Sequence, residues 1–431
     1  MLTSLPSRRS FLSISAATAA GAAVAACSSQ QGRSGSGGLT LWTHNGGNTE
    51  ELAVVTKAVE AFNAANPDTP VTVKDFPQAS YNDAIASAAA AGDLPDILDL
   101  DGPIMPNWAW AGYLAPLTIP SDLESRIIDS AKGYWNDTLY SVGPYDTSLC
   151  FLARKSAIDS IGARVPTVDQ PWTRNEFDEA LKKLSDLPDY SYAIDMGVWD
   201  SAEWWPYAYA PMLQSFGGDL INRDGFSTAE GSINGPEAVA WGTWFHSLFA
   251  DGLASQTPAT DGQDFLQGKV PMVYGGGWKV LQAQEAFGAE EVLILPPVDF
   301  GKGAHVGGGS WQWGVSATSP NAEAANKFIE FLMQDDYLVE YSNAIGNFPS
   351  VPSAISRTEN YGEGKPLEPV YEIGKAFALL RPATPGYKVI SSIFDKAAHD
   401  IVSGADVKKT LDQAAKDIDA DIASNNGYAA K

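Results

Sequence analysis

Residues 39–73 read LTLWTHNGGNTEELAVVTKAVEAFNAANPDTPVTV. Leu39–Trp42 has the alternation of a short strand, and a polar loop from Thr43 to Asn48 follows it. From Thr49 to Ala65, Leu52, Val55, Val59 and Phe62 recur at helical spacing on one face. Asn66-Pro67 stops that helix, and Val71–Val73 makes a second strand. Working outward, Ala84–Ala91 predicts another helix ended by Gly92, and Pro95–Leu100 a third strand. Strand, helix, strand, helix, strand predicts a parallel α/β sheet with right-handed crossovers. Ligands of such sheets sit beyond the carboxyl ends of the strands. His44 and Asn45, the stretch from Gln78 to Tyr81, and Asp101 with Gly102 are therefore candidate pocket wall.

The full chain has 431 residues, 45% of them hydrophobic, which is enough for a large core and two domains. Acidic residues outnumber basic ones by 52 to 28, a formal net charge of −24. That balance argues against nucleic-acid partners and against electrostatic adhesion to anionic lipid. The two cysteines, Cys27 and Cys150, allow neither a disulfide framework nor a cysteine metal cluster. The four histidines lack zinc-ligand spacing, so no metal and no cofactor is expected. The 13 tryptophans, 16 tyrosines and 17 phenylalanines are residues that fill a core and also residues that stack on sugar rings.

The amino terminus reads as an address. Ser7-Arg8-Arg9-Ser10-Phe11-Leu12 resembles a twin-arginine export signal, and Phe11–Ala26 has the length of a signal core. Val24-Ala25-Ala26-Cys27 is similar to a bacterial lipobox, which implies that Cys27 becomes the lipidated first residue. Residues 28–38 have the composition of a flexible tether. The alternative is an ordinary secretory signal with a chance cysteine. Cys150 is then a buried, inert thiol.

Further along, Thr173 and Glu176 have capping-box spacing at a helix start. Residues 199–209, WDSAEWWPYAY, form the densest aromatic cluster. Residues 265–278, FLQGKVPMVYGGGW, predict a strand over Val270–Tyr274 that delivers Gly275, Gly276 and Gly277 as bare backbone before Trp278. GGGSWQWGV at 307–315 is a second glycine-to-tryptophan junction.

Taken together, LTLWTHNGG, AAGDLPDILDLD, AGYLAPL, YSVGPYDTSLCFLARK, PWTRNEFDEALKKL, SINGPEAVAWGTWFHSL, FLQGKVPMVYGGGW, SWQWGVSATSPNAEAANKFIEFL and RPATPGYKVI resemble, in this order, the extracytoplasmic solute-binding proteins of bacterial carbohydrate ABC importers, the maltose-binding-protein-like group. The match spans roughly residues 39–400. The resemblance implies a two-lobed periplasmic-binding-protein fold of type II, with a ligand cleft between lobes joined by crossing strands. Residues 39–145 and 296–318 would form one lobe, and residues 146–295 and 319–431 the other. A ligand touching both lobes favours the closed form, which a membrane permease would read. The expected partners are a di- or oligosaccharide, permease subunits and the membrane through the lipid anchor alone. The protein is expected to be a monomer on the outer face of the cell membrane.

By the same resemblance, Trp278 stacks on a sugar while Gly276 and Gly277 offer backbone donors. Asp101, Tyr145, Asp146, His44, Asn45, Trp311 and Arg381 fall where the family lines its cleft. Trp204 and Trp205 match its second-lobe aromatics, one of the two being core, and Tyr81 is a further candidate. The structural alternatives are core packing for the tryptophans, a cap or solvated turn for Asp101 and a loop-anchoring ion pair for Arg381. Two rivals remain. A binding protein for a polyamine or glycerophosphodiester would also use aromatic walls and acids. A secreted glycoside hydrolase needs two carboxylates across the scissile bond, for which Asp99 and Asp101, on one face of one strand, leave little room.

Overall fold

The computed structural model describes residues 37–200 and 202–429. The export signal, the lipobox with Cys27 and nearly all of the tether therefore lie outside the described residues.

The opening stretch folds as its pattern demands. Strand Leu39–Gly46 leads into helix Thr49–Ala65, strand Val71–Pro77, helix Gln78–Ala91 and strand Ile97–Asp101. The first strand pairs in parallel with the other two. Asn48 caps the first helix by accepting the Glu51 amide, and Gly92, at φ 71°, ends the second. The second helix begins six residues before the alanine-rich run suggested, so Gln78–Tyr81 is its first turn and no loop. The sheet then becomes mixed. Trp311–Ser316 returns antiparallel to Ile97–Asp101 and is followed by Thr138–Val142 and Lys132–Trp135, with Leu114–Ala115 also on the returning strand.

A second sheet has the order Val292–Leu295, Leu149–Arg154, Met272–Gly276, all antiparallel. It lies against helices Arg174–Ser185, Trp204–Phe216, Pro236–Ala250, Tyr387–Val402 and Val407–Ser424, whose buried residues share one core. The protein is thus α/β and two-lobed, a type II binding-protein fold. Two short ladders stand where the chain passes between sheets: Tyr145–Asp146 on Phe348–Pro349, and Val306–Gly307 on Ala378–Leu379.

The lobe boundaries depart from the sequence expectation in two places. Helices Ala322–Leu332 and Asp335–Ile345 were expected in the second lobe. Their buried Phe328, Ile329, Leu332, Leu338 and Tyr341 instead join the first-lobe core of Leu39, Val55 and Phe62. The rings of Phe62 and Phe328 meet edge to face at 5.0 Å. Conversely Val298, Phe300 and Val306 pack into the second core, with Phe300 stacked on Phe216. Helical periodicity says that a face is buried, not which sheet it covers.

Candidate functional site

The site grows from the carboxyl end of the first sheet. There His44 and Trp311 stack face to face, ring centroids 3.5 Å apart and 8° from parallel. Tyr81 meets Trp311 edge-on at 5.9 Å. Beneath them Asp99 is buried, and its Oδ2 accepts from the Thr43 hydroxyl at 2.9 Å, the His44 amide at 3.2 Å and the His44 ring at Nδ1. Glu51 stands 3.8 Å from His44 Nε2 and accepts from the Tyr145 hydroxyl at 2.9 Å. Burial pulls the His44 pKa down, but the charge and hydrogen bond of Asp99, with Glu51 and Asp101 behind it, leave it above 6.5. Burial raises the Glu51 pKa against the lowering effect of His44.

Asp101 pairs across the ladder with Trp311. Its carboxylate takes two bonds from Arg381, at 3.0 and 3.2 Å. Arg381 also donates to Glu203 at 2.7 Å and lies over the Tyr207 ring at 5.0 Å. Glu203 further accepts the hydroxyls of Tyr387 and Ser391. One buried guanidinium thus ties the first sheet to the second-lobe helices Trp204–Phe216 and Tyr387–Val402. Burial pushes the Asp101 carboxyl up to about 6 in spite of Arg381. Arg381 also borders a shallow open pocket with Gly102, Pro103, Lys132, Tyr134 and Leu380.

On the second lobe, strand Met272–Gly276 reaches two residues beyond its expected end, because Gly275 and Gly276 pair with Cys150 and Leu149. Trp278 is half-buried and its ring folds back over Gly276. A Cβ there would lie 1.9 Å from the indole, so only glycine fits. Trp204 is likewise half-buried, seated on Gly197 with its Nε1 3.4 Å from the Tyr209 hydroxyl.

Several sequence candidates turn inward and are engaged by other protein groups. Tyr81 is fully buried and donates to the Trp42 carbonyl at 3.1 Å. Trp205 is also fully buried, donating to the Asp200 carbonyl at 2.8 Å and packing on His399. Asp146 is buried and accepts the amides of Thr147 at 2.7 Å and Gly309 at 2.9 Å, so it braces the glycine junction. Tyr145 is buried on Glu51, and Asn45 is buried with its amide nitrogen 3.3 Å from His44 Nε2. The Gly277 amide donates to Ser148 at 3.1 Å and is not free for a ligand. His44 is 6% exposed, beneath Trp311 rather than in front of it.

The candidates that keep a partly exposed face are Trp278, Trp204, Trp311 and Asp101. Sequence reasoning missed Glu203 and the supporting role of Asp99. Glu203 sits inside the aromatic run at 199–209, and its weight comes from residues 178 to 188 positions away.

A family model described as a bacterial extracellular solute-binding protein matches residues 57–364. A maltotriose-binding protein of Pyrococcus abyssi is 24% identical over 375 residues, 83% of this chain and 75% of the relative. An uncharacterised lipoprotein of Streptomyces antibioticus is 24% identical over 330 residues, 71% of this chain and 69% of its own length. An ABC transporter substrate-binding protein of Listeria monocytogenes, solved with cycloalternan, superposes with a TM-score of 0.74 at 20% identity, covering 90% of this chain and 99% of that one. With the family model spanning well over half its length, and with two lobes joined by crossing segments, the chain belongs to the bacterial extracellular solute-binding protein family.

Proposed function

We propose that the protein is the saccharide-capturing subunit of a carbohydrate ABC importer, exported, lipidated at Cys27 and working as a monomer at the outer face of the membrane with permease subunits. The observation that carries this reading is the contrast between partly exposed tryptophans and occupied charges. Trp278, Trp204 and Trp311 keep partly exposed indoles, while Asp101 and Glu203 are held by Arg381 and Asp146 by backbone amides. Such a surface favours a neutral, hydroxyl-rich molecule with apolar faces. A polyamine needs carboxylates that are not already paired, and a phosphodiester needs a cation that is not already paired. The sugars named for the relatives, maltotriose and cycloalternan, point to an α-glucosidic oligosaccharide. The same pairing withdraws Asp99 and Asp101 from acid–base work on a glycosidic bond.

Calorimetry with maltotriose, spermidine and glycerophosphocholine tests the proposal. Binding is expected for the saccharide alone, and heat from spermidine with none from any sugar overturns it. Trp278→Ala is expected to weaken saccharide binding by about 30-fold, roughly 2 kcal/mol, with the unfolding midpoint little changed.

A further inference from the structure

His44 has the credentials of a ligand residue in sequence and the position of a support in the structure. Its ring lies flat beneath Trp311, 3.5 Å away and 8° from parallel. Its Nδ1 is pinned by Asp99. Its Nε2 stands between the Asn45 amide nitrogen, at 3.3 Å, and the Glu51 carboxylate, at 3.8 Å. Both nitrogens and one face are therefore occupied by protein. We propose that His44 is a positioning residue: held by Asp99, it fixes the plane of Trp311 from below and acts on saccharide binding through that indole, without touching the ligand. The inference rests on the functional reading above, in which Trp311 presents its other face to a sugar.

The two neighbours of Nε2 make the support respond to protonation. A neutral Nε2 accepts from the Asn45 amide, whereas a protonated one donates toward Glu51. A neutral imidazole stacks on an indole, and an imidazolium adds a cation–π attraction to that stacking. The groups facing this ring are Asp99, Glu51 and Asp101, with the Tyr81, Tyr145 and Tyr341 hydroxyls around the carboxylates. Burial opposes the charge and the carboxylates outweigh it, so the imidazolium persists above pH 6.5. The sign follows: a pKa raised in the fold means that the firmly held indole is present at low pH and is lost as pH rises through the His44 pKa.

The test uses the mature protein, labelled with fluorotryptophan and with the Trp311 signal assigned through Trp311→Phe. Without ligand, the Trp311 signal is expected to titrate together with the His44 imidazole in the wild type and to be flat in His44→Gln. Maltotriose affinity is expected to fall by about tenfold or more in His44→Gln and in Asp99→Asn. The wild-type loss of affinity with rising pH is expected to vanish in His44→Gln, although Asp101 and Asp195 still titrate there. Asp99→Asn removes a buried anion and His44→Gln removes its partner, so each variant is read only after a cooperative unfolding transition shows it folded, and His44→Gln, which keeps an amide at the position, carries the result. A Trp311 signal that ignores His44 overturns the inference whether or not any sugar binds. Wild-type affinity and pH profile preserved in His44→Gln also overturn it. A coupled Trp311 signal in a protein that binds no saccharide supports the support geometry and refutes the functional reading alone.

Discussion

Single side chains set the terms at Trp278. Gly276 has ordinary strand torsions, φ −93° and ψ 165°, so its need for glycine is one of space and not of backbone freedom. Gly276→Ala is expected to drive the indole from its seat, costing about 1–3 kcal/mol of stability and reproducing the binding loss of Trp278→Ala; calorimetry beside urea unfolding checks both. Asp195 offers a second measurement. It is buried, and its Oδ2 has no hydrogen-bond partner among the described residues, while Oδ1 accepts the Gly197 amide at 2.8 Å. Burial pushes its carboxyl from 3.8 to about 6. A carboxyl raised in the fold stabilises fully below its unfolded pKa and loses that contribution as pH rises through the folded one. Asp195→Asn is expected to be near neutral at pH 4 and to stabilise above pH 7 by up to about 3 kcal/mol. Urea unfolding at both pH values decides, and equal effects at the two would refute the argument.

Elements carry the next layer. Helix Arg174–Ser185 starts at a complete capping box: Thr173 caps the Glu176 amide at 3.4 Å, and Glu176 returns to the Thr173 amide at 2.9 Å. Arg164 grips the same Glu176 at 2.6 and 2.8 Å. Thr173→Ala is expected to cost about 1 kcal/mol in chemical unfolding, with saccharide affinity unchanged, because the helix serves the second-lobe core and not the cleft. At this scale the sequence was informative wherever both ends of an element carried a local signal. Thr49–Ala65 was readable to the residue, with Asn48 before it and Asn66-Pro67 after it. Helix Tyr387–Val402 has no such signal at its start, where Pro382, Pro385 and Gly386 precede it.

The whole molecule is tied through Arg381. Its guanidinium joins Asp101 at the end of the first sheet to Glu203 on the second-lobe side, and its side chain is 7% exposed. Removing one partner of a buried ion cluster leaves charge without compensation, at a cost of several kcal/mol. Arg381→Met is therefore expected to lose roughly 3 kcal/mol at pH 8. Part of that loss should return at pH 5, since protonating Asp101, whose carboxyl already titrates near 6 beside the arginine, relieves the stranded charge. Thermal unfolding at the two pH values reads the difference; a pH-independent loss would mean that Asp101 does not depend on Arg381.

The sequence alone determined what local chemistry can enforce. The strand–helix alternation from Leu39 to Leu100, the capping box at Thr173 and the glycines before Trp278 all followed from period, cap and turn rules acting over a few residues, and the ordered motifs pointed to the family. Tertiary structure decided which lobe each helix serves and which polar residues remain free. Phe328 and Ile329 reveal a buried stripe in sequence, yet only packing brings them to Phe62. Asp101, Asp146 and His44 look like ligand groups until Arg381, Gly309 and Asp99 take their hydrogen bonds. Each of those pairings closes a loop of more than fifty residues, and no local signal reports which distant partner will satisfy a buried charge.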